Sequence, residues 1–153
     1  MDMRDFDLPD ESATCTLAAR VADALDGSLV VYLDGDLGVG KTTFTRALLR
    51  HLGVGERVKS PTYTLVESYP LPAGRAWHLD LYRIADPGEL EWLGLDTLAE
   101  PGALVLVEWP QHGAGALPEA DLTLRLAHAE AGRKASLVAA SPRGEAVLAR
   151  LSV

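Results

Sequence analysis

The residues with the clearest chemical purpose lie between Gly35 and Thr42, which read Gly-Asp-Leu-Gly-Val-Gly-Lys-Thr. This is the spacing G-x-x-x-x-G-K-[ST] of a loop that wraps phosphate groups. Phosphates need several converging N–H donors, and glycines let the backbone come close without side-chain obstruction. A helix beginning near Lys41 would aim its free N–H groups and positive dipole end at the anion. Lys41 would reach the β- and γ-phosphates, and the Thr42 hydroxyl would ligate Mg²⁺. The spacing alone also fits a glycine-rich turn between any strand and any helix. Its context, a β-branched strand before and an amphipathic helix after, favours a nucleotide, ATP or GTP.

Two acids are placed to work beside that loop. Asp80 ends the run Trp77-His78-Leu79-Asp80, and Glu108 ends Leu104-Val105-Leu106-Val107-Glu108. Ligands of open α/β sheets sit beyond the carboxyl ends of the strands. Glu108 stands where P-loop nucleotide hydrolases carry their second magnesium-side carboxylate, although a strand-terminal acid in water is the plainer reading. His78 lies two residues before Asp80, so it points to the same strand face but deeper. It reads as a packed or hydrogen-bonded histidine rather than a metal ligand. Trp109 either lines the nucleotide pocket or packs in the core, the ordinary fate of a lone Trp. Ser60, Pro61, Thr62, Tyr63 and Thr64 form a hydroxyl-rich segment that reads equally as a switch-like loop or as a plain connection.

The elements that position these residues follow from periodicity. Residues 4–8 suit a short edge strand. Asp10 or Ser12 caps a helix to about Leu25, with Thr14, Leu17, Ala18, Val21 and Leu25 on one face. Leu29–Asp34 is a buried strand, and Phe44, Ala47, Leu48 and Leu52 recur at helical spacing after the loop. Gly53 and Gly55 mark the end of that helix. Residues 65–70 and 76–81 read as paired strands around Pro72-Ala73-Gly74. Asp86-Pro87 opens a short helix carrying Leu90 and Trp92, with another possible over 95–99. Residues 122–126 and 135–139 alternate in period two about the Glu130–Arg133 turn, predicting a hairpin. Ser141-Pro142 starts a last helix to about Leu151.

At 153 residues one domain is the default expectation. The net charge of -8 and the scattered 14 Lys plus Arg argue against a bare electrostatic grip on nucleic acid, so any RNA contact would pass through a partner. Cys15 is the sole cysteine, which rules out an internal disulfide and suits a half-buried structural thiol. The N-terminus lacks the form of a signal peptide, and no apolar run has membrane-spanning length. A cytoplasmic protein is expected.

Taken in order, GDLGVGKTTF, VKSPTYTLVE, HLDLYR and LVEWP resemble one family, TsaE, the small bacterial P-loop ATPase of tRNA threonylcarbamoyladenosine synthesis. The likeness runs over nearly the whole chain. It implies a three-layer α/β P-loop NTPase-like fold with a mixed, mainly parallel central sheet flanked by helices. It implies ATP as substrate with Mg²⁺, slow hydrolysis alone, and turnover gated by TsaD and TsaB. Those partners transfer the threonylcarbamoyl group to the adenosine beside the anticodon of ANN-decoding tRNAs. By the same resemblance Leu37, Gly38, Val39, Gly40, Lys41 and Thr42 cradle the phosphates, and Thr43 offers a second hydroxyl. Thr42 and Glu108 hold the metal, and Lys41, Asp80 and Glu108 serve hydrolysis. Glu11, Thr14, Gly132 and Arg133 border the adenine.

Two other classes share a phosphate-binding loop of this kind. A small-molecule P-loop kinase needs an acceptor pocket and usually an arginine-rich lid, yet no arginine occurs between Glu108 and Arg125. A nucleotide-sensing adaptor would not need acids at both positions 80 and 108.

Overall fold

The computed structural model describes residues 3–36, 38–54, 66–72, 74–86, 88–90 and 102–151. A seven-stranded sheet organises them, in the order β1-β7-β6-β2-β5-β4-β3. The strands are β1 (Met3–Leu8), β2 (Leu29–Asp34), β3 (Val66–Leu71), β4 (Gly74–Asp80), β5 (Ala103–Glu108), β6 (Leu122–Ala129) and β7 (Gly132–Ala139). The middle is parallel, β6 to β2, β2 to β5 and β5 to β4. The flanks are antiparallel, β1 to β7, β7 to β6 and β3 to β4. This is the mixed, centrally parallel sheet that the family likeness implied.

Alternation along the central strands makes two apolar clusters. Leu29, Val31 and Leu33 of β2 and Leu104 and Leu106 of β5 face one cluster, shared with α1 (Glu11–Ala24), α2 (Lys41–His51) and α3 (Pro142–Arg150). Val105, Val107 and Leu79 face the other, closed by Leu81, Ile84, Leu90, Trp109 and Leu117. All six residues of β5 are buried, as a strand covered on both faces requires.

Local chemistry sets the helix ends. Asp10 is the N-cap of α1, its carboxylate accepting from Ala13 N at 2.8 Å. Thr14, Leu17, Ala18 and Val21 are the buried stripe foreseen for it. Ser141 caps α3 by accepting from Gly144 N, with Pro142 at the first helical position. Gly53, at φ 102, follows the C-cap of α2.

Some boundaries moved. The β3–β4 hairpin is tighter than expected, because Leu71 already pairs with Gly74 and β4 begins two residues earlier. Residues 88–90 form one 3-10 turn, while Trp92 and the helix expected over 95–99 lie outside the described residues. So do Leu37, Gly55 and the whole Ser60–Thr64 segment. An unforeseen 3-10 helix, Pro110–Gly113, follows β5. No helix among the described residues is long and apolar enough to cross a membrane.

Candidate functional site

Three parallel strands end side by side and deliver the candidate residues to one edge of the sheet. β2 runs into the loop at Gly35–Gly40, β4 ends at Asp80 and β5 ends at Glu108. Gly40 is the N-cap of α2 at φ 112, and Gly38 turns at φ 78. These left-handed conformations cost glycine nothing and would strain any other residue. The space that a Cβ would enter is open at both, leaving the loop backbone accessible to an anion.

Lys41 opens α2 and is nearly buried. Its ammonium donates to the Gly35 carbonyl at 2.7 Å and lies 3.7 Å above the Trp109 ring. It thus curls over the loop, toward the position the glycines leave free. Burial pushes its pKa below the ordinary lysine value, against the pull of Glu108, Asp80, Asp34 and Asp36. The Thr42 hydroxyl donates to Glu108, 3.2 Å from Oε1 and 3.3 Å from Oε2. Glu108 is buried and also takes a hydrogen bond from His78 Nε2 at 2.6 Å. Asp80 pairs in register with Glu108 across β4 and β5. Its Oδ1 accepts from Tyr82 N at 3.1 Å. Burial raises the Asp80 pKa, the Tyr82 bond opposes this, and nearby Glu108 adds to it.

Trp109 sits between both readings offered for it. It is half-buried and packs against the second apolar cluster, yet its face carries the Lys41 ammonium. Its φ of 58 is the only positive value at a non-glycine residue among those described. The ring stacks on His112 at 5.6 Å between centroids and meets Tyr82 at 5.1 Å. His112 is held in turn by the Leu81 carbonyl.

Beside the loop lies a cleft of about 300 Å³. Its walls are the start of α1 with Glu11 and Thr14, the loop at Gly38–Gly40, Thr43, and the β6–β7 turn at Gly132-Arg133. The four residues expected at an adenine therefore share one cavity with the phosphate loop. The sequence reading missed Leu8, Pro9 and Asp10 on the same wall. Their only local signal was the N-cap at Asp10. Arg133 ties the turn to the loop, its Nε donating to Val39 O at 3.2 Å.

The donor chemistry fits a hard cation held jointly with a phosphate. Thr42 and Glu108 offer only oxygen, and no cluster of three or more His, Cys, Asp or Glu among the described residues forms a complete cage. Mg²⁺ is commonly bound in this way, by one or two protein oxygens, water and substrate phosphates.

Comparison with known proteins shows what the chain is similar to. A family model described as threonylcarbamoyl adenosine biosynthesis protein TsaE matches residues 8–135, a span that includes every site residue named above. The tRNA threonylcarbamoyladenosine biosynthesis protein TsaE of Haemophilus influenzae is 39% identical over 150 residues, covering 95% of each chain. The protein of that name from Bacillus subtilis is 36% identical over 146 residues, covering 94% of this chain and 89% of its own. Among solved structures, Bacillus subtilis YdiB matches with a TM-score of 0.79 and 27% identity, covering 98% of this chain and 94% of that one.

Proposed function

This chain belongs to the TsaE family, and from that premise we propose that it is the ATP-hydrolysing subunit of the machinery that forms threonylcarbamoyladenosine in ANN-decoding tRNAs. The observation that carries the reading is one of placement. Lys41, Thr42, Asp80 and Glu108 meet at the ends of adjacent strands and α2, beside a cleft of nucleotide-binding dimensions.

Each residue then has a task. The amides of Gly38–Thr42 and the Lys41 ammonium bind the phosphates, Lys41 exchanging the Gly35 carbonyl for a phosphate oxygen. Thr42 and Glu108 hold Mg²⁺, which when bound neutralises charge developing on the phosphate oxygens. Asp80, with its affinity for protons raised by burial, orients the attacking water and accepts its proton. The cleft walled by Glu11, Thr14, Gly132 and Arg133 receives the adenosine end.

The chain acts as a single P-loop ATPase domain in the cytoplasm, slow alone and gated by TsaD and TsaB. It does not transfer the threonylcarbamoyl group. Its acidic balance of -8 supports a subunit that leaves RNA contact to its partners. Reconstitution tests this directly, with TsaD, TsaB, a threonylcarbamoyl donor and unmodified tRNA. Sustained modification is expected to require both this chain and ATP. Modification that proceeds equally without the chain refutes the proposal.

A further inference from the structure

Among the described residues near the site His78 is the most deeply buried titratable side chain, with 1% of its surface exposed. It lies on β4, opposite Leu106 of β5 and one pleat below the Asp80–Glu108 pair. A carboxylate only accepts hydrogen bonds, so His78 Nε2 donates to Glu108 Oε2, at 2.6 Å. Nδ1 has no hydrogen-bond partner among the described residues. Among the described residues the one hydrogen bond of this ring is therefore to Glu108. Burying an imidazole for one hydrogen bond gives the core nothing that an apolar ring of similar volume would not give. The gain must lie at Glu108.

Glu108 has two oxygens and a rotatable terminal torsion, which by itself leaves their direction loose. His78 holds Oε2 from the core side while the Thr42 hydroxyl approaches both oxygens from α2. We propose that His78 is a positioning residue, which locks the Glu108 carboxylate in the rotation that presents it beside Thr42 to a divalent cation. The inference rests on the nucleotide-binding reading above. Partners that orient a ligating group from behind typically change metal affinity by about 10- to 100-fold when removed.

The test is an equilibrium titration of ATP binding, in EDTA and across a range of Mg²⁺ concentrations, together with the melting temperature of the nucleotide-free protein. His78→Phe removes the donor and keeps the ring volume. It is expected to bind ATP as the wild type does in EDTA, and to need about tenfold more Mg²⁺ or beyond for half-maximal enhancement. His78→Gln reaches Glu108 with an amide N–H and is expected to restore most of the Mg²⁺ response. His78→Phe added to Glu108→Gln should cause no further change in Mg²⁺ requirement, because the positioned carboxylate is already gone. If the phenylalanine variant does not fold, His78→Asn, too short to reach Glu108, gives the same readout. An unchanged Mg²⁺ requirement, or an equal loss of ATP binding in EDTA, overturns the positioning role. Wild-type protein that binds no ATP under any condition overturns the nucleotide reading and this inference with it.

Discussion

Asp80 and Glu108 are register partners on neighbouring parallel strands, yet their carboxylates live in different surroundings. Glu108 is buried between His78 and Thr42, with a donor on each side. Asp80 is half-buried and accepts a hydrogen bond from the backbone N–H of Tyr82 just beyond its own strand. Two acids at one strand edge are thus divided by their environment. One is fixed toward α2 by the Thr42 hydroxyl, and the other is left able to face water. That division underlies the separate roles proposed for them.

Asp80→Asn is expected to stop ATP turnover while sparing ATP binding. It also has a stability signature. Burial raises the folded-state pKa of Asp80 above its ordinary value of 3.8. The proton is then held more tightly in the folded state. Its stabilising effect is complete below 3.8 and is lost as pH rises through the folded-state value. Asparagine keeps the acceptor for Tyr82 N and never ionises. Its melting temperature should therefore exceed that of the wild type at neutral pH, with the gain vanishing on acidification below 3.8. A gain that is constant with pH would assign the effect to something other than ionisation.

Lys41→Ala removes a charge-assisted phosphate contact of about 1.5–3 kcal/mol, a loss of roughly tenfold to a hundredfold or more in ATP affinity. Titration with ATP measures it. Wild-type affinity in this variant would break the reading of the loop.

Trp109 should report nucleotide binding optically. The Lys41 ammonium rests 3.7 Å above its ring, and phosphate binding would draw that charge away. Tryptophan emission is expected to change when ATP is added, and Trp109→Phe should abolish the change. A response that persists in the variant would have to come from Trp77 or Trp92.

Much of this arrangement was legible in the sequence because it is local. The strand–loop–helix from Leu29 to His51 carries its own pattern, and the acids at positions 80 and 108 announce themselves by ending apolar runs. Ser141 was a recognisable cap, and Asp10 was one of two candidates with Ser12. The bond between His78 and Glu108 was not legible. It depends on the register of β4 and β5, which brings together two side chains 30 residues apart in sequence, and register is set by packing across the sheet rather than by either strand alone. Trp109 was ambiguous for a similar reason. It has a positive φ just after β5, and its ring lies against Lys41 while packing on the second apolar cluster, and Lys41 is far from it in the chain.

Gly132 links the cleft to the fold. Its φ is 116, and a Cβ there would overlap the carbonyl oxygen of Leu8. Gly132→Ala is expected to cost about 1–3 kcal/mol and to lower Tm by several degrees. ATP affinity should weaken as well, since Pro9 and Arg133 on the cleft walls must shift. Calorimetry and ATP titration check the two effects separately. An unaltered Tm would contradict the close approach of β1 to the β6–β7 turn.

The most direct test of the central claim is phosphate release from ATP and Mg²⁺ by the purified protein, alone and with the TsaD–TsaB pair, using Lys41→Ala as control. A low rate alone that rises sharply with the pair and disappears in the variant is the predicted result. A rate that the pair leaves unchanged, or that survives in Lys41→Ala, would contradict a partner-gated ATPase built on this loop.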